Sequence, residues 1–475
     1  MQVNETDIKK MVEQVLQQLG QSQVASNPVA AQESISLGDG VFATVDEAAA
    51  AARLAWEKLR KLPLSTRRQM IDSMREISRK YVNELAQLAV EETKLGRVED
   101  KIAKILLATN KTPGVEELVS TAYSGDDGLT LVEYAPIGVF GSITPSTNPA
   151  ATVINNSISL IAAGNTVVYN PHPSAKQVSI KTLKLLNQAI VAAGGPENCL
   201  TSVAAPNLET SAQVMNHPNI NALVVTGGGP VVKAAMSVGK KVIAAGPGNP
   251  PVVVDETAII SQAATDIVKG ASFDNNVLCT AEKEVFVVDK VANALKSEMV
   301  KNGAIELKGF QFEKLLEKVL VTKNDKFYPN RDFIGKDANV ILQAAGIQAS
   351  PEVRLIIAET SKDHPLVMTE MLMPILPIVR VPDVDKAIEL AVIAEKGNRH
   401  TAIMHSQNIT NLTKMAQEIQ VTIFVKNGPS VAGLGFESEG FTTLTIAGPT
   451  GEGLTSAKTF TRQRRCVLVD GLRII

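Results

Sequence analysis

Short apolar runs alternate with amphipathic stretches over most of this chain, and that rhythm limits the folds open to it. Residues 166–169 (Thr-Val-Val-Tyr), 222–226 (Ala-Leu-Val-Val-Thr) and 241–245 (Lys-Val-Ile-Ala-Ala) are β-prone and almost without polar interruption. Between them, 177–193 carries a helical pattern closed by Gly194-Gly195-Pro196, and 230–238 another that opens on Pro230. Strand, helix, strand in this order predicts a parallel, doubly wound sheet with helices on both faces. A second series follows, with apolar runs at 252–255, 284–288, 355–358, 375–381 and 422–425. It predicts a second α/β lobe.

The stretch ahead of the alternation is different. From Val45 to Thr109 the pattern is helical, beginning with an Ala-rich segment whose first turn carries Asp46 and Glu47, where the helix dipole favours acids. Residues 129–134 and 137–144 read as strands broken at Pro136. Nearer the start, Ile8, Met11, Val12, Val15, Leu16 and Leu19 recur at helical spacing, with Thr6 or Asn4 as cap and Gly20 as stop. Residues 21–39, rich in Gln, Ser, Ala and Asn, have linker composition. Such a tethered helix either docks on its own domain or lays its apolar face in a partner's groove. Glu5, Asp7 and Glu13, with no Arg, disfavour a mitochondrial presequence.

At 475 residues the chain needs more than one domain-sized core. A net charge of −2, 4% aromatics and a single Trp argue against nucleic acid as a partner. No apolar run reaches the ~18–20 residues of a membrane span, and no secretory signal is visible. The three cysteines, Cys199, Cys279 and Cys466, are far apart and form no CxxC, so neither a disulfide framework nor a structural metal is expected, and a reducing compartment is.

Cys279 has the most suggestive setting. A helix-compatible segment ends in Asp274-Asn275-Asn276; the Cys follows, and then a β-prone run at 284–288. A residue on such a connection is either a small core hydrophobe or a nucleophile held by a rigid scaffold. Other candidate segments surround the strands. Thr226-Gly227-Gly228-Gly229 joins a strand to a helix start and suits a phosphate, though it lacks the G-x-G-x-x-G fingerprint; a plain tight turn fits as well. Asn148, in the proline-framed loop Ile143-Thr144-Pro145-Ser146-Thr147-Asn148-Pro149, is either an oxyanion donor or a turn residue. Glu370 is the one charge in the apolar run 369–377, and His400 lies in Gly397-Asn398-Arg399-His400.

Taken together, 143–149, Gly270 to Asn276 with Cys279, 424–429, and 450–453 with 464–467 resemble the aldehyde dehydrogenase superfamily. Within it they are most similar to the CoA-acylating acetaldehyde and propionaldehyde dehydrogenases of bacterial microcompartments. The resemblance implies a Rossmann-type nucleotide-binding domain over 40–247, with 121–135 contributing to a small β oligomerisation arm. It implies a catalytic domain over 248–430 and a segment, 431–475, that completes the nucleotide domain and the arm. A targeting helix (1–20) and linker (21–39) would precede them. It implies Cys279 as nucleophile and Asn148 as oxyanion donor, with Thr226, Gly227 and Gly228 at the nucleotide phosphates. Glu370 would hold the nicotinamide ribose, and Asn170 stands where hydrolytic relatives carry a Lys that reads the adenosine ribose. His400 is a candidate for the CoA step. Where hydrolytic relatives carry a general-base Glu, this chain has Ala245, or Gly246 one position on, and neither can take a proton. The reaction implied is oxidation of a short-chain aldehyde to its acyl-CoA with NAD and coenzyme A, in a cytoplasmic homo-oligomer inside a microcompartment. The alternative is hydrolysis to free acid.

Overall fold

The computed structural model describes residues 37–475; the helix expected at 1–20 and all but the last three residues of the expected linker lie outside the described residues. Four helices, Val45–Leu59, Leu64–Lys80, Val82–Thr93 and Val98–Lys111, precede the alternating part. The first begins with a capping box in which Thr44 Oγ1 accepts from the Glu47 amide and the Glu47 carboxylate accepts from the Thr44 amide.

Two parallel sheets follow, as the alternation predicts. The first has six strands in the order Val41–Phe42, Leu200–Val203, Thr166–Pro171, Val139–Thr144, Ala222–Thr226 and Lys241–Ala245, all paired parallel. Its central strands are fully buried, which is why they read as unbroken apolar runs. The second has seven, in the order Ala304–Glu306, Leu355–Glu359, Ile375–Val381, Glu284–Val288, Pro251–Val254, Thr401–His405 and Ile423–Lys426. The chain passes from the first sheet to the second through Gly246, Pro247, Gly248, Asn249 and Pro250. Asn249 pins this crossing: its buried Nδ2 donates to the Val367 and Ala394 carbonyls at 3.1 and 2.9 Å, and to Glu284 Oε1 at 3.1 Å.

A third sheet is antiparallel. Gly128–Pro136 pairs on one side with Thr121–Gly125 and on the other with Thr461–Val469. The strand break expected at Pro136 falls at Ile137 and Gly138, whose amides both donate to Asn165 Oδ1. The end of the chain also returns to the first lobe, where Leu444, Ala447, Ala457 and Phe460 join its core. The crossing loop leaves the C-terminal edge of the first sheet, the edge at which open α/β sheets bind ligands, and enters the second sheet at the N-terminal ends of Pro251–Val254 and Glu284–Val288, where the Cys279 connection also arrives.

Candidate active site

Cys279 follows an unusual turn. The helix Ile260–Ser272 ends, and Asp274, Asn275 and Asn276 then take φ of 49°, 54° and 65° in succession. Asp and Asn are the non-glycine residues that best tolerate this left-handed region, because their short side chains bond locally. Here each side chain is buried and held. Asp274 Oδ1 accepts from the Arg97 amide at 2.9 Å. Asn275 Nδ2 donates to the Gly335 carbonyl at 3.0 Å and to Asp337 Oδ1 at 2.8 Å. Asn276 Nδ2 donates to the carbonyls of Ala271 and Glu282 at 2.8 and 3.0 Å. The turn thus presents Cys279 on a fixed backbone.

Beneath it lies Lys283. Its Nζ donates to Asn276 O, Asn276 Oδ1 and Leu278 O at 2.9, 2.6 and 3.0 Å, so all three protons are used. Its amide donates to the Pro250 carbonyl, tying the Cys279 loop to the crossing loop. Glu282 is buried as well, accepting from the Ser430 amide and hydroxyl at 2.8 and 2.7 Å, yet burial pushes its carboxyl up to about 7.

Cys279 keeps partial solvent exposure, whereas Cys199 is buried and Cys466 is exposed on the strand Thr461–Val469. Burial pushes the Cys279 thiol up to about 11; the Glu370 charge adds to the rise, while Lys283 and Lys104 oppose it. Glu370 is itself raised by burial, a rise that the nearby Lys283 charge and Gly248 amide oppose. Gly248 lies so close that a Cβ there would stand 2.6 Å from the Cys279 carbonyl oxygen and 3.1 Å from His400 Cγ. Cys279, Gly248, Glu370 and His400 are therefore one cluster. Leu372 and Arg399, beside Glu370 and His400, are also left-handed, with φ of 54° and 55°. Strained backbone gathers on the connections that carry the site.

His400 is 2% exposed, its amide bonded to Glu395 Oε1 and its Nδ1 2.9 Å from Thr401 Oγ1. Its Nε2 has no partner among the described residues. Burial, with Lys283 nearby, lowers the imidazole to about 4, so the ring is neutral. In the tautomer that places the proton on Nδ1, facing Thr401, Nε2 carries the free lone pair.

Asn148 stands at the N-cap of the helix Pro149–Ala162 but does not cap it. Its Oδ1 accepts from Lys104 Nζ, and its Nδ2 lies 3.2 Å from Thr147 Oγ1. Lys104 and Lys101 both bond Asp274 Oδ2, and Lys101 also donates to the Thr147 carbonyl at 2.8 Å. Sequence reasoning missed Lys101, Lys104 and Lys283. The signal available was charge where charge is costly: two lysines on the turn that carries buried Ile105, and Glu282-Lys283-Glu284 at the head of a buried strand.

Thr226, Gly227 and Gly228 are set apart from this cluster, between the strand Ala222–Thr226 and the helix Gly229–Met236. Among the described residues no side chain caps that helix, and a Cβ on Gly227 or Gly228 would meet nothing closer than 3.8 Å. The protein does not crowd this turn, so its glycines leave open backbone for an anionic ligand, and a dinucleotide phosphate fits. Asn170 is occupied otherwise. It is 3% exposed; Thr210 Oγ1 donates to its Oδ1 at 2.7 Å and its Nδ2 donates to the Asn207 carbonyl at 3.3 Å, bracing the start of the helix Leu208–Asn216. Ala245 ends the strand Lys241–Ala245, buried, and from Ala244 through Gly248 no side chain titrates.

The profile of the Aldehyde dehydrogenase family matches residues 17–308. The chain is 52% identical, over the full length of both, to the acetaldehyde dehydrogenase (acetylating) EutE of Salmonella typhimurium strain LT2. A Rhodopseudomonas palustris propionaldehyde dehydrogenase, solved with bound CoA and an acylated cysteine, superimposes with a TM-score of 0.90 at 50% identity, over 92% of this chain and 100% of that one. The propionaldehyde dehydrogenase of the Clostridium phytofermentans fucose utilisation microcompartment gives 0.90 at 48% identity, again over 92% and 100%.

Proposed function

The chain belongs to the aldehyde dehydrogenase family, and from that premise we propose how its residues oxidise a short-chain aldehyde to the corresponding acyl-CoA, with NAD and coenzyme A, through a thioester on Cys279. The observation that carries this reading is the crossing loop beside Cys279. From Ala244 to Gly248 it offers no group that could deprotonate water, while the backbone of Cys279, whose side chain is partly exposed, lies against it at Gly248. A thiol acceptor needs less help than water, because a few per cent of it is already thiolate near neutral pH.

Cys279 Sγ, as thiolate, adds to the aldehyde carbon, and the negative charge moves to the former carbonyl oxygen. Asn148 Nδ2 and the Cys279 amide donate to that oxygen, a contribution of about 3 kcal/mol per donor in comparable sites. Bound nicotinamide supplies the hydride acceptor. Loss of hydride from the tetrahedral carbon leaves the thioester. The turn Thr226-Gly227-Gly228 holds the nucleotide phosphates and Glu370 the nicotinamide ribose, while Asn170 is left to its structural bonds. His400 Nε2, buried, neutral and unpartnered, accepts the proton of the incoming CoA thiol. The thiolate attacks the thioester, the oxyanion forms again against Asn148, and Cys279 leaves.

The antiparallel sheet of Thr121–Gly125, Gly128–Pro136 and Thr461–Val469 joins copies of the chain into a homo-oligomer. Residues 1–20 carry the enzyme into a bacterial microcompartment by docking on a shell or cargo protein. The test of the reaction is NADH formation from acetaldehyde or propionaldehyde with each component omitted in turn. Sustained turnover is expected only with aldehyde, NAD and CoA together, one acyl-CoA appearing per NADH. Steady turnover to free acid without CoA would overturn the reading.

A further inference from the structure

An amide such as that of Asn148 has two faces of opposite use. Nδ2 can donate to an oxyanion; Oδ1 in the same place would repel it. Thr147 Oγ1, 3.2 Å from Nδ2, cannot choose between them, because a hydroxyl both donates and accepts. Lys104 can. An ammonium has no lone pair, so only Oδ1 can face it. Lys104 is 2% exposed, and its Nζ meets Asn148 Oδ1, Asp274 Oδ2 and, at 3.4 Å, the Thr147 carbonyl. Asp274, in turn, belongs to the left-handed turn five residues before Cys279 and also holds Lys101, one helical turn from Lys104. One buried carboxylate on the segment that bears the nucleophile therefore anchors the cation that orients the oxyanion donor.

We propose that Lys104 is a positioning residue for both half-reactions: its ammonium fixes Asn148 Oδ1 and so turns Nδ2 toward the carbon bonded to Cys279. The inference rests on the assignment of Asn148 as oxyanion donor. An oxyanion forms during both aldehyde oxidation and thioester cleavage, so losing the orientation slows the two steps by similar factors and leaves cofactor binding alone. The geometry also accounts for two lysines on one carboxylate: Lys101 keeps Asp274 paired while Lys104 serves Asn148. Burial and the neighbouring Lys101 lower the Lys104 ammonium to about 7, in spite of the Asp274 charge, so the cation that orients Asn148 is fully present only below that pH.

The experiment is a double-mutant cycle on the full-length enzyme with Lys104→Met, Asn148→Ala and the pair. The NADH burst without CoA and the CoA-dependent turnover are measured separately, with circular dichroism for folding. Asn148→Ala is expected to lose about 10²–10³-fold. Lys104→Met is expected to lose about 10–10²-fold in both steps with KM for NAD unchanged, and to add less than about threefold to Asn148→Ala, since it acts only through that amide. Should Lys104→Met not fold, Lys104→Gln takes its place in the cycle. Its amide can offer Asn148 either a donor or an acceptor, so a smaller but still non-additive loss is expected. Additive losses, or an unaltered burst in the folded Lys104 variant, overturn the inference while leaving Asn148 as donor. A harmless Asn148→Ala overturns the donor assignment itself.

Discussion

The residues around Cys279 set its chemistry by opposing charges. Its thiol is held up at about 11, first by burial and then by the Glu370 carboxylate. A thiol raised in this way is protonated below that pH, and its thiolate fraction falls about tenfold for each pH unit beneath it. Removing the Glu370 charge therefore favours the thiolate. Glu370→Gln keeps the size of the side chain and removes its charge, and it is expected to speed alkylation of Cys279 by iodoacetamide several-fold at pH 8, although turnover falls through weaker ribose binding; slower alkylation would contradict the electrostatic account. His400 is shifted in the opposite sense. Its imidazole is lowered to about 4, so it is neutral through the physiological range and can accept a proton but not store one. His400→Ala is expected to leave the NADH burst intact and to slow only the CoA step. In the parent enzyme that step should show no acidic limb near pH 6.5 from this residue. Equal loss in burst and CoA step would make His400 a structural group satisfied by Thr401 and Glu395.

At the scale of elements, the site is made by connections, and these were only half legible in the sequence. The strands could be read because burial on both faces leaves unbroken apolar runs such as 222–226 and 284–288. Cys279 could be placed between two of them by the polar residues that interrupt the pattern. What could not be read was the left-handed course of Asp274, Asn275 and Asn276, because its cause lies far away, in Arg97, Lys101, Lys104, Gly335 and Asp337. Nor could periodicity reveal that Gly248 is pressed between two functional residues. That crowding gives a sharp expectation. Gly248 does not have positive φ, so alanine suits its backbone, yet the new Cβ would stand 2.6 Å from the Cys279 carbonyl. Gly248→Ala is expected to displace the Cys279 loop and cut kcat by at least about tenfold, with a stability cost of about 1–3 kcal/mol, typical of overpacking. Wild-type turnover in this variant would show that the crossing loop has room to move.

At the scale of the whole molecule, two features bear on the contacts proposed with other chains. The first is the strand Thr461–Val469, an outer strand of its three-stranded sheet, on which Val467, Leu468 and Val469 are exposed. Such an edge invites pairing with another chain, and Val467→Lys with Val469→Lys is expected to reduce the oligomer seen by light scattering without loss of helical signal. The second is the helix expected at residues 1–20. Its six apolar positions form one stripe, and a helix barely longer than ~12–15 residues has little stability in water unless that stripe is covered. The nearly twenty residues of linker composition after it would be superfluous if it were covered by its own subunit, and Leu37, Gly38 and Asp39, at the linker's end, are exposed. All three sheets described and every site residue discussed lie within 37–475. Deleting residues 1–20 is therefore expected to leave kcat and KM unchanged and to abolish co-localisation with the compartment, and fusing them to a fluorescent protein should carry that protein inside. Ile8→Glu or Leu16→Glu should reproduce the deletion, since a carboxylate in the stripe opposes docking on an apolar groove. A truncated enzyme that instead loses thermal stability or turnover would show that the stripe packs on the enzyme itself, and the targeting role would then have to be abandoned.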